Sequence, residues 1–207
     1  MTLQNNHTIT SCGIILLAAG GSSRLGKPKQ LLTYRGKSLL QYMLSVIKEA
    51  GLDSVIVVLG SNALTIIHEL DNEKILIARN EEWQEGIASS IRSGVNALQK
   101  NYPACDGTLI MLVDQPYITS ALLTSLVEKQ KQTGKPIAAS KYETVAGTPA
   151  LFHQSLFSEL LNLEGDKGAG KILQQRADEV VTIPFPMGRF DIDTEDDYRA
   201  LQQNDPG

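Results

Sequence analysis

The chain has 207 residues, of which 42% are hydrophobic and 20% are charged, and its formal net charge is −4. A core of this size buries about 70% of the surface of the unfolded chain, which favours one domain. No apolar run approaches the ~20 residues that a membrane span needs. The acidic balance argues against nucleic acid or anionic lipid as partners, so basic chemistry must be concentrated at one place.

The first residues, MTLQNNHTIT, are polar, and we expect residues 1–10 to form a disordered tail before a single domain over residues 11–207. The two cysteines, Cys12 and Cys105, lie far apart and lack ligand-like spacing. No signal peptide precedes the first apolar run. These features predict a reducing, cytoplasmic location.

Short β-branched runs alternate with amphipathic segments through the first half of the chain. Strands are predicted at GIILLAA, SVIVVLG and KILIA, and helices at SLLQYMLSVIKEAG, NALTIIHEL and GIASSIRSGVNAL. Ser38 followed by Gln41 predicts a capping box at the start of the first helix, and Gly51 predicts its end.

The second half continues the alternation. TLIMLV predicts a strand that ends at Asp114, Thr119 predicts a helix cap, and PIAAS predicts another strand. After TPALF come a helix, a glycine-rich stretch, a short strand EVVTI and a closing helix that begins at DIDTEDDY. Near-continuous apolar strands predict an α/β fold of three layers, a mostly parallel twisted sheet with helices on both faces. Ligands bind such sheets beyond the carboxyl ends of the strands, where Gly20 and Asp114 fall.

The stretch IILLAAGGSSRLGKPKQLL runs from a strand into a loop rich in glycine and cations. Gly21, Gly26 and Lys27 match most of a P-loop, but Pro28 stands where a P-loop has Ser or Thr. Proline offers neither a hydroxyl for Mg²⁺ nor an N–H for phosphate. The dinucleotide pattern G-x-G-x-x-G also fails, which argues against an NAD site.

Ala18 and Ala19 at the strand end are small enough for a flat base or sugar to lie against the backbone. The N–H groups from Gly20 to Ser23 follow, and successive N–H groups in such a turn form a concave anion site. Arg24 and Lys29 add positive charge. The loop therefore predicts a site for a nucleoside triphosphate.

Asp114 lies at the end of an apolar strand beside this loop, which suits Mg²⁺. The ion prefers oxygen ligands, and it takes one or two protein carboxylates together with phosphates and water. A second carboxylate is expected from DIDTEDDY. Asp196 and Asp197 are better explained as acids of a first helical turn after a Thr194 cap.

LAAGGSSRLGKPKQLL resembles the signature of nucleotidyltransferases that join an NMP to a phosphorylated acceptor. The resemblance is to the molybdenum cofactor cytidylyltransferase branch of the molybdopterin nucleotidyltransferases, and NEEWQEGIASSIRSG, LVDQP and DIDTEDDY agree with it. It implies a glycosyltransferase-A-like, nucleotide-diphospho-sugar-transferase-like fold. It also implies CTP as donor, Mg²⁺ as cofactor, the molybdenum-pterin phosphate as acceptor and pyrophosphate as product. The LAAG form resembles cytidylyltransferases, whereas guanylyltransferase relatives more often show LAGG.

The same resemblance implies roles for individual residues. Catalytic roles fall to Arg24, Lys29 and Asp114, and metal binding falls to Asp114 and Asp193, with Asp191 as the alternative. Acceptor binding falls to Gly147, Thr148, Pro149 and Asp166, although Thr148 and Gly170 replace a histidine and an arginine of the family. Nucleotide binding falls to Leu17, Ala18, Ala19, Gly20, Gly21, Ser22, Arg24, Lys29, Gly60, Asn80, Gly86, Ser89 and Ser90.

Several functional alternatives stay open. The enzyme class also includes guanylyl transfer to the same pterin and cytidylyl transfer to a sugar- or alcohol-phosphate. A different class is a carrier that binds the cofactor without catalysis. A molybdoenzyme or its chaperone is a possible protein partner, whereas nucleic acid and membrane partners are not expected.

Overall fold

The computed structural model describes residues 7–22, 24–70 and 74–204. Its strands are β1 (Cys12–Ala18), β2 (Thr33–Tyr34), β3 (Lys37–Ser38), β4 (Val55–Leu59), β5 (Leu76–Arg79), β6 (Gly107–Leu112), β7 (Ile137–Tyr142), β8 (Val145–His153) and β9 (Val180–Pro184). Its helices are α1 (Leu39–Glu49), α2 (Ala63–Ile67), α3 (Ile87–Asn101), α4 (Ser120–Thr133), α5 (Phe157–Leu161), α6 (Gly170–Gln175) and α7 (Glu195–Asn204).

A seven-stranded sheet forms the middle of the fold, in the order β5-β4-β1-β6-β8-β7-β9. Every strand of this sheet except β8 runs in the same direction. The short strands β2 and β3 form a separate antiparallel ribbon. The predicted mostly parallel sheet is confirmed. No helix within the described ranges is long and apolar enough to cross a membrane.

Helices cover both faces of the sheet, because its central strands are apolar on both sides. In β1, Ile14 and Leu16 pack toward one face, while Ile15 and Leu17 pack toward the other. The first face buries residues of α1, α2, α4 and α7, and the second buries residues of α3, α5 and α6. The predicted three-layer arrangement is therefore confirmed.

The helix caps follow the sequence in most respects. The Ser38 Oγ accepts the N–H of Gln41 at 3.3 Å, and Gly51 follows α1 with a φ of 71°. The reciprocal half of the capping box is absent, since the Gln41 side chain donates instead to the Glu69 carbonyl at 3.4 Å. At α4, the Thr119 Oγ1 accepts the N–H of Leu122 at 3.2 Å, as predicted.

Residues 7–10 of the N-terminal segment pack on the rest of the domain. Ile9 is buried in the core, and its N–H donates to Gln130 Oε1 at 3.0 Å. Gln130 Nε2 donates to the His7 carbonyl at 2.6 Å, and Thr10 donates its N–H to the Asp106 carboxylate at 2.9 Å. The predicted disordered tail is therefore wrong for residues 7–10, while residues 1–6 lie outside the described residues. The single domain over 11–207 stays a prediction.

Candidate active site

A cleft of about 360 Å³ opens at the carboxyl ends of β1 and β6, where the sequence predicts the ligand. Stretches that are distant in sequence supply its walls. They are Leu17, Ala18, Ala19, Gly20, Gly21, Lys29, Gln30, Trp83, Gln84, Gly86, Ile87, Ser90, Leu112, Val113, Asp114 and Asp166. The cleft thus brings together the glycine loop, Lys29 and Asp114, as the sequence predicts.

Ser22 shapes the glycine loop. Its backbone has a φ of 51°, and its carbonyl accepts the N–H groups of Leu25 and Gly26 at 3.1 and 3.2 Å. Its Oγ accepts the N–H of Lys29 at 3.0 Å. The N–H groups of Gly20, Gly21 and Ser22 donate to no acceptor among the described residues. They are therefore available to an anion, while the Ser22 side chain supports the loop rather than lining the cleft.

Gln30 holds the loop from beneath. Its side chain is fully buried, and Nε2 donates to the carbonyls of Ala18 and Gly20 at 2.6 and 3.3 Å. Its Oε1 has no partner in the described part of the chain. Gln30 is a site residue that the sequence motifs do not predict. The available signal was a polar side chain within a stretch, KQLL, that must pack against the strand.

Lys29 joins the two predicted metal ligands. Its Nζ donates to Asp114 Oδ2 at 2.7 Å and to Asp193 Oδ1 at 2.9 Å. Burial alone lowers the pKa of an ammonium, but the pairs with Asp114 and Asp193 outweigh it and raise the pKa of Lys29. The hydrogen bond from Lys29 in turn lowers the pKa of Asp193. Exposed Arg24 reaches this group from outside, with Nη2 at 2.8 Å from Asp193 Oδ2.

A backbone contact brings the distant acids to Asp114. The N–H of buried Ile192 donates to the Asp114 carbonyl at 3.0 Å, so Asp191 and Asp193 flank the end of β6. Loss of solvation, together with the charge of Asp114, raises the pKa of Asp191 to about 6. Asp193 contacts Lys29 directly, which favours it over Asp191 as the second ligand.

These acids fit a divalent ion that is bound together with phosphates. The described residues contain no group of three or more His, Cys, Asp or Glu side chains placed to hold a metal by themselves. Mg²⁺ does not need one, since it takes few protein carboxylates and completes its shell with phosphates and water. One ammonium contacts both Asp114 and Asp193, so one cation can reach both. Asp114 Oδ1 is also buried without a partner in the described residues.

Asp197 has the structural role that the sequence predicts. Its Oδ2 accepts the N–H and the Oγ1 of Thr194 at 2.8 and 2.7 Å. The Thr194 Oγ1 accepts the N–H of Asp197 at 3.2 Å in return. Asp197 therefore fixes the start of α7 and, with it, the backbone next to Asp193.

Asn80 and Ser89 support the cleft wall instead of forming it. Both are buried, and Asn80 Nδ2 donates to the Oγ of Ser89 and of Ser90 at 2.8 and 3.0 Å. Asn80 Oδ1 accepts the N–H of Glu82, and Ser89 Oγ donates to the Gly86 carbonyl. Of these three polar side chains, only Ser90 lines the cleft. The side-chain polar groups of Asn80 and Ser89 are thus used inside the protein, and their contact with a nucleotide stays a prediction.

Gly60 makes room for Trp83. A Cβ at Gly60 would lie 2.5 Å from the Trp83 Cβ and 2.9 Å from the Ala19 carbonyl oxygen. The indole ring itself comes within 3.2 Å of where a Gly21 Cβ would be. Trp83 thus packs on the glycine loop and also lines the cleft, whereas Gly60 lies behind it.

The four predicted acceptor residues occupy two places. Thr148 Oγ1 donates to Gln115 Oε1 at 3.2 Å, and Gln115 lies next to Asp114 in the chain. Gly147 and Pro149 share strand β8 with Thr148, away from the cleft wall. Asp166 lines the cleft itself, beside Gly86.

The chain matches the MobA-like NTP transferase domain family over residues 14–180. The chain belongs to this family. As a MobA-like NTP transferase it is a nucleotidyltransferase. The match ends before Asp191 and Asp193, which the structure brings to the end of β6.

Two named relatives cover most of this MobA-like protein. Nicotine blue oxidoreductase of Paenarthrobacter nicotinovorans is 31% identical over 172 residues, which are 78% of this chain and 81% of the relative. The purine catabolism protein PucB of Bacillus subtilis is 27% identical over 201 residues, which are 91% of this chain and 95% of PucB.

Solved structures share the whole architecture of this MobA-like transferase. Rv0371c of Mycobacterium tuberculosis has a TM-score of 0.79 and 33% identity, covering 94% of this chain and 99% of its own. Its complex with manganese has a TM-score of 0.76 and 31% identity, with coverages of 95% and 100%. A divalent ion is thus bound in a homologue. At 15% identity, 4-diphosphocytidyl-2C-methyl-D-erythritol synthase of Anaerococcus prevotii shows the same fold, with a TM-score of 0.73 and coverages of 93% and 95%.

Proposed function

We propose that this nucleotidyltransferase transfers CMP from CTP to the phosphate of the molybdenum-pterin cofactor and releases pyrophosphate, with Mg²⁺ as its metal. The observation that carries the proposal is the meeting of three features in one cleft. These are the free N–H groups of the glycine loop, the Lys29 ammonium and the Asp114 carboxylate, and the Lys29 ammonium also contacts Asp193 beside the cleft.

In the proposed reaction, an acceptor phosphate oxygen attacks the α-phosphorus of CTP. A phosphorus–oxygen bond forms, and the bond from the α-phosphorus to the bridging oxygen breaks, so that pyrophosphate leaves with the electron pair. A phosphate monoester is a competent nucleophile near neutral pH, so no side-chain base is required. Catalysis then depends on positioning and on stabilising developing charge.

Each part of the cleft has a different role in this reaction. The N–H groups of Gly20, Gly21 and Ser22 hold phosphate oxygens, and Lys29 and Arg24 stabilise the charge that moves to pyrophosphate. Asp114 and Asp193 would hold a metal ion, which would supply positive charge to stabilise the phosphates. Ala18 and Ala19 leave space for the nucleoside beside the strand end.

The LAAG form supports CTP over GTP, and guanylyl transfer is the nearest alternative. The replacements at Thr148 and Gly170 keep a sugar- or alcohol-phosphate acceptor open. One relative favours a second candidate, since nicotine blue oxidoreductase is named for a redox reaction. The glycines at positions 20, 21 and 26 lack the dinucleotide spacing, which weighs against a redox role that uses a nicotinamide cofactor.

A nucleotide panel tests the proposal. Pyrophosphate release is measured with CTP, GTP, ATP and UTP, each with and without molybdenum-pterin or a sugar phosphate, and with Mg²⁺ or Mn²⁺. We expect release with CTP, metal and pterin together. Release with GTP or with a sugar phosphate selects one of the transferase alternatives. Pterin binding without release indicates a carrier, and oxidation of NADH or NADPH without release indicates a redox enzyme.

The proposal also extends to location and partners. A cytoplasmic transferase that loads a pterin cofactor has to deliver the product, and we propose a molybdoenzyme or its chaperone as the recipient. Pull-down of the recipient in the presence of CTP and pterin, compared with pterin alone, measures whether delivery follows nucleotidyl transfer.

A further inference from the structure

We propose that Asp166 reads the nucleotide base: its carboxylate accepts a hydrogen bond from an exocyclic amino group and so favours amino-bearing bases such as cytosine over uracil. This inference rests on the proposed nucleotidyl transfer and names the determinant of its substrate. It replaces the acceptor role that resemblance implied for Asp166.

The first observation is the place of the carboxylate. Asp166 lines the same cleft as Gly20, Gly86 and Ser90, whereas Thr148 and its neighbours do not. Gly86 has a φ of 125°, and a Cβ there would overlap Asp166 Oδ1. The absent side chain at Gly86 therefore gives the Asp166 carboxylate its position beside the segment that carries Ser90.

The second observation is that the loop carrying Asp166 is fixed to this segment. Glu85 Oε1 accepts the N–H of Gly165 at 3.2 Å and Arg92 Nη1 at 2.8 Å. Arg92 Nη1 also donates to the Leu163 carbonyl at 2.7 Å. The Gly165 carbonyl accepts the N–H of Ala88 at 3.1 Å. These bonds, which we call the Glu85–Arg92 clamp, hold Asp166 at a defined place on the cleft wall.

The third observation concerns the polar groups that face the cleft. The Asp166 carboxylate makes no hydrogen bond or ion pair with another described residue, and an ionised carboxylate only accepts. Ser90 Oγ already accepts from Asn80 Nδ2, so its hydroxyl hydrogen is left to donate. On this part of the wall, Asp166 thus offers an acceptor and Ser90 offers a donor.

That pair matches the edge of cytosine. The 4-amino group of cytosine donates, and Asp and Glu accept from it in known recognition contacts. The ring nitrogen and carbonyl of cytosine accept, which suits the Ser90 hydroxyl. Uracil has a carbonyl oxygen in place of the amino group, and it would face the carboxylate with two acceptors opposed. The site would therefore discriminate against uracil through an unfavourable contact between two acceptors.

Asp166→Asn tests the inference because an amide can donate to the uracil carbonyl. We compare kcat/KM for CTP and UTP in pyrophosphate release, and we measure nucleotide binding by the fluorescence of Trp83, the single tryptophan of the chain. The CTP-to-UTP ratio of kcat/KM should fall by about 10-fold to 100-fold, with most of the change in KM and in binding. The matched control is Glu164→Gln, which removes a negative charge from the same loop and should keep the wild-type ratio.

The outcomes separate the two proposals. If Asp166→Asn keeps the wild-type ratio, or if the wild type prefers UTP, Asp166 does not read the base while nucleotidyl transfer stands. If the wild type releases pyrophosphate from no nucleotide, the proposed function itself fails. Circular dichroism checks folding, and Asp166→Ser provides a second variant, for which a lowered ratio supports the inference and an unchanged ratio overturns it.

Discussion

Lys29 contacts two carboxylates, and its removal should lower the catalytic rate more than it lowers the stability of the fold. For Lys29→Ala we expect kcat to fall by about 100-fold to 1,000-fold, since one charge that stabilises the transition state is lost. For Asp114→Ala we expect kcat to fall by a similar factor. Pyrophosphate release under saturating CTP and metal is the measurement.

The matched control is Lys27→Ala. The Lys27 ammonium lies 3.4 Å from Glu195 and over the Tyr198 ring, away from the cleft wall. Lys27→Ala should keep kcat within about twofold of the wild-type value, because a surface ion pair contributes little. Near-normal turnover in Lys29→Ala would show that the mechanism is wrong.

Gln30 supports the glycine loop, and its loss should reduce stability. Gln30→Met keeps the length of the side chain but leaves the carbonyls of Ala18 and Gly20 without their donor. A buried group left unpaired costs about 1–3 kcal/mol, so the free energy of unfolding should fall by that amount. Urea denaturation measures it, and exposed Gln202→Met is the control. Stability equal to that of the control would mean that the two carbonyls find other donors.

The role of a single residue can be predicted best where the adjacent sequence allows only one interpretation. Lys29 belongs to the loop that follows β1, and Asp114 follows β6. Because β1 and β6 are parallel neighbours, the meeting of the two residues in one cleft follows from the pattern. Asn80 and Ser89 do not have this advantage, since a hydroxyl that contacts a ligand and one that stabilises a helix start look the same in sequence. Only the structure shows that the buried Asn80 side chain donates hydrogen bonds to the hydroxyls of both Ser89 and Ser90.

At the scale of elements, the Glu85–Arg92 clamp ties the start of α3 to the loop before α6. Hydrogen bonds from Arg92 lower the pKa of Glu85 from 4.5 to about 2. A carboxylate with a lowered folded pKa stabilises the fold above its unfolded pKa, and this stabilisation is lost as the pH falls through the folded pKa. The clamp should therefore be complete near pH 6 and should weaken between about pH 4.5 and pH 2.

Thermal melting of the wild type and Glu85→Gln across this pH range checks the clamp. The wild type should melt at a higher temperature near pH 6, and the difference should shrink as the pH falls toward 2. Glu164→Gln again serves as the control, because it removes a carboxylate of the same loop that acts on Arg92 by its charge alone. A difference between wild type and Glu85→Gln that stays constant with pH would contradict the clamp.

The elements themselves were largely predictable, because buried strands and amphipathic helices have different hydrophobic periods. The direction of β8 was not, since an apolar run such as PALF reads alike in a parallel or an antiparallel strand. The capping box was only half predicted because the Glu69 carbonyl, distant in sequence, competes for the Gln41 side chain. Residues 7–10 were misassigned because polar neighbours surround Ile9, whose one side chain reaches the core.

At the scale of the whole molecule, the Lys29 ammonium balances the negative charge of Asp114 and Asp193 within the fold. The fold should therefore not depend on a divalent ion, and EDTA should leave the melting temperature of the wild type unchanged. Mg²⁺ with CTP should raise it, since a ligand at 100 times its Kd adds about 2.7 kcal/mol. Differential scanning fluorimetry measures both effects.

Lys29→Met should make the melting temperature depend on a divalent ion. Asp114 and Asp193 then face each other without their shared cation, so the variant should melt below the wild type and should recover with Mn²⁺ alone. Lys27→Met should behave like the wild type. A wild-type melting temperature that falls in EDTA would show that the metal, and not Lys29, balances the acids.

The contact between Ile192 and Asp114 also has a consequence for how the molecule matures. During synthesis, the glycine loop and Asp114 leave the ribosome long before Asp193 has been made. Until the Ile192 N–H reaches its carbonyl, a growing chain has only one of the two acids in place. Under the proposed mechanism, catalytic competence therefore arrives only after residue 193 has been made.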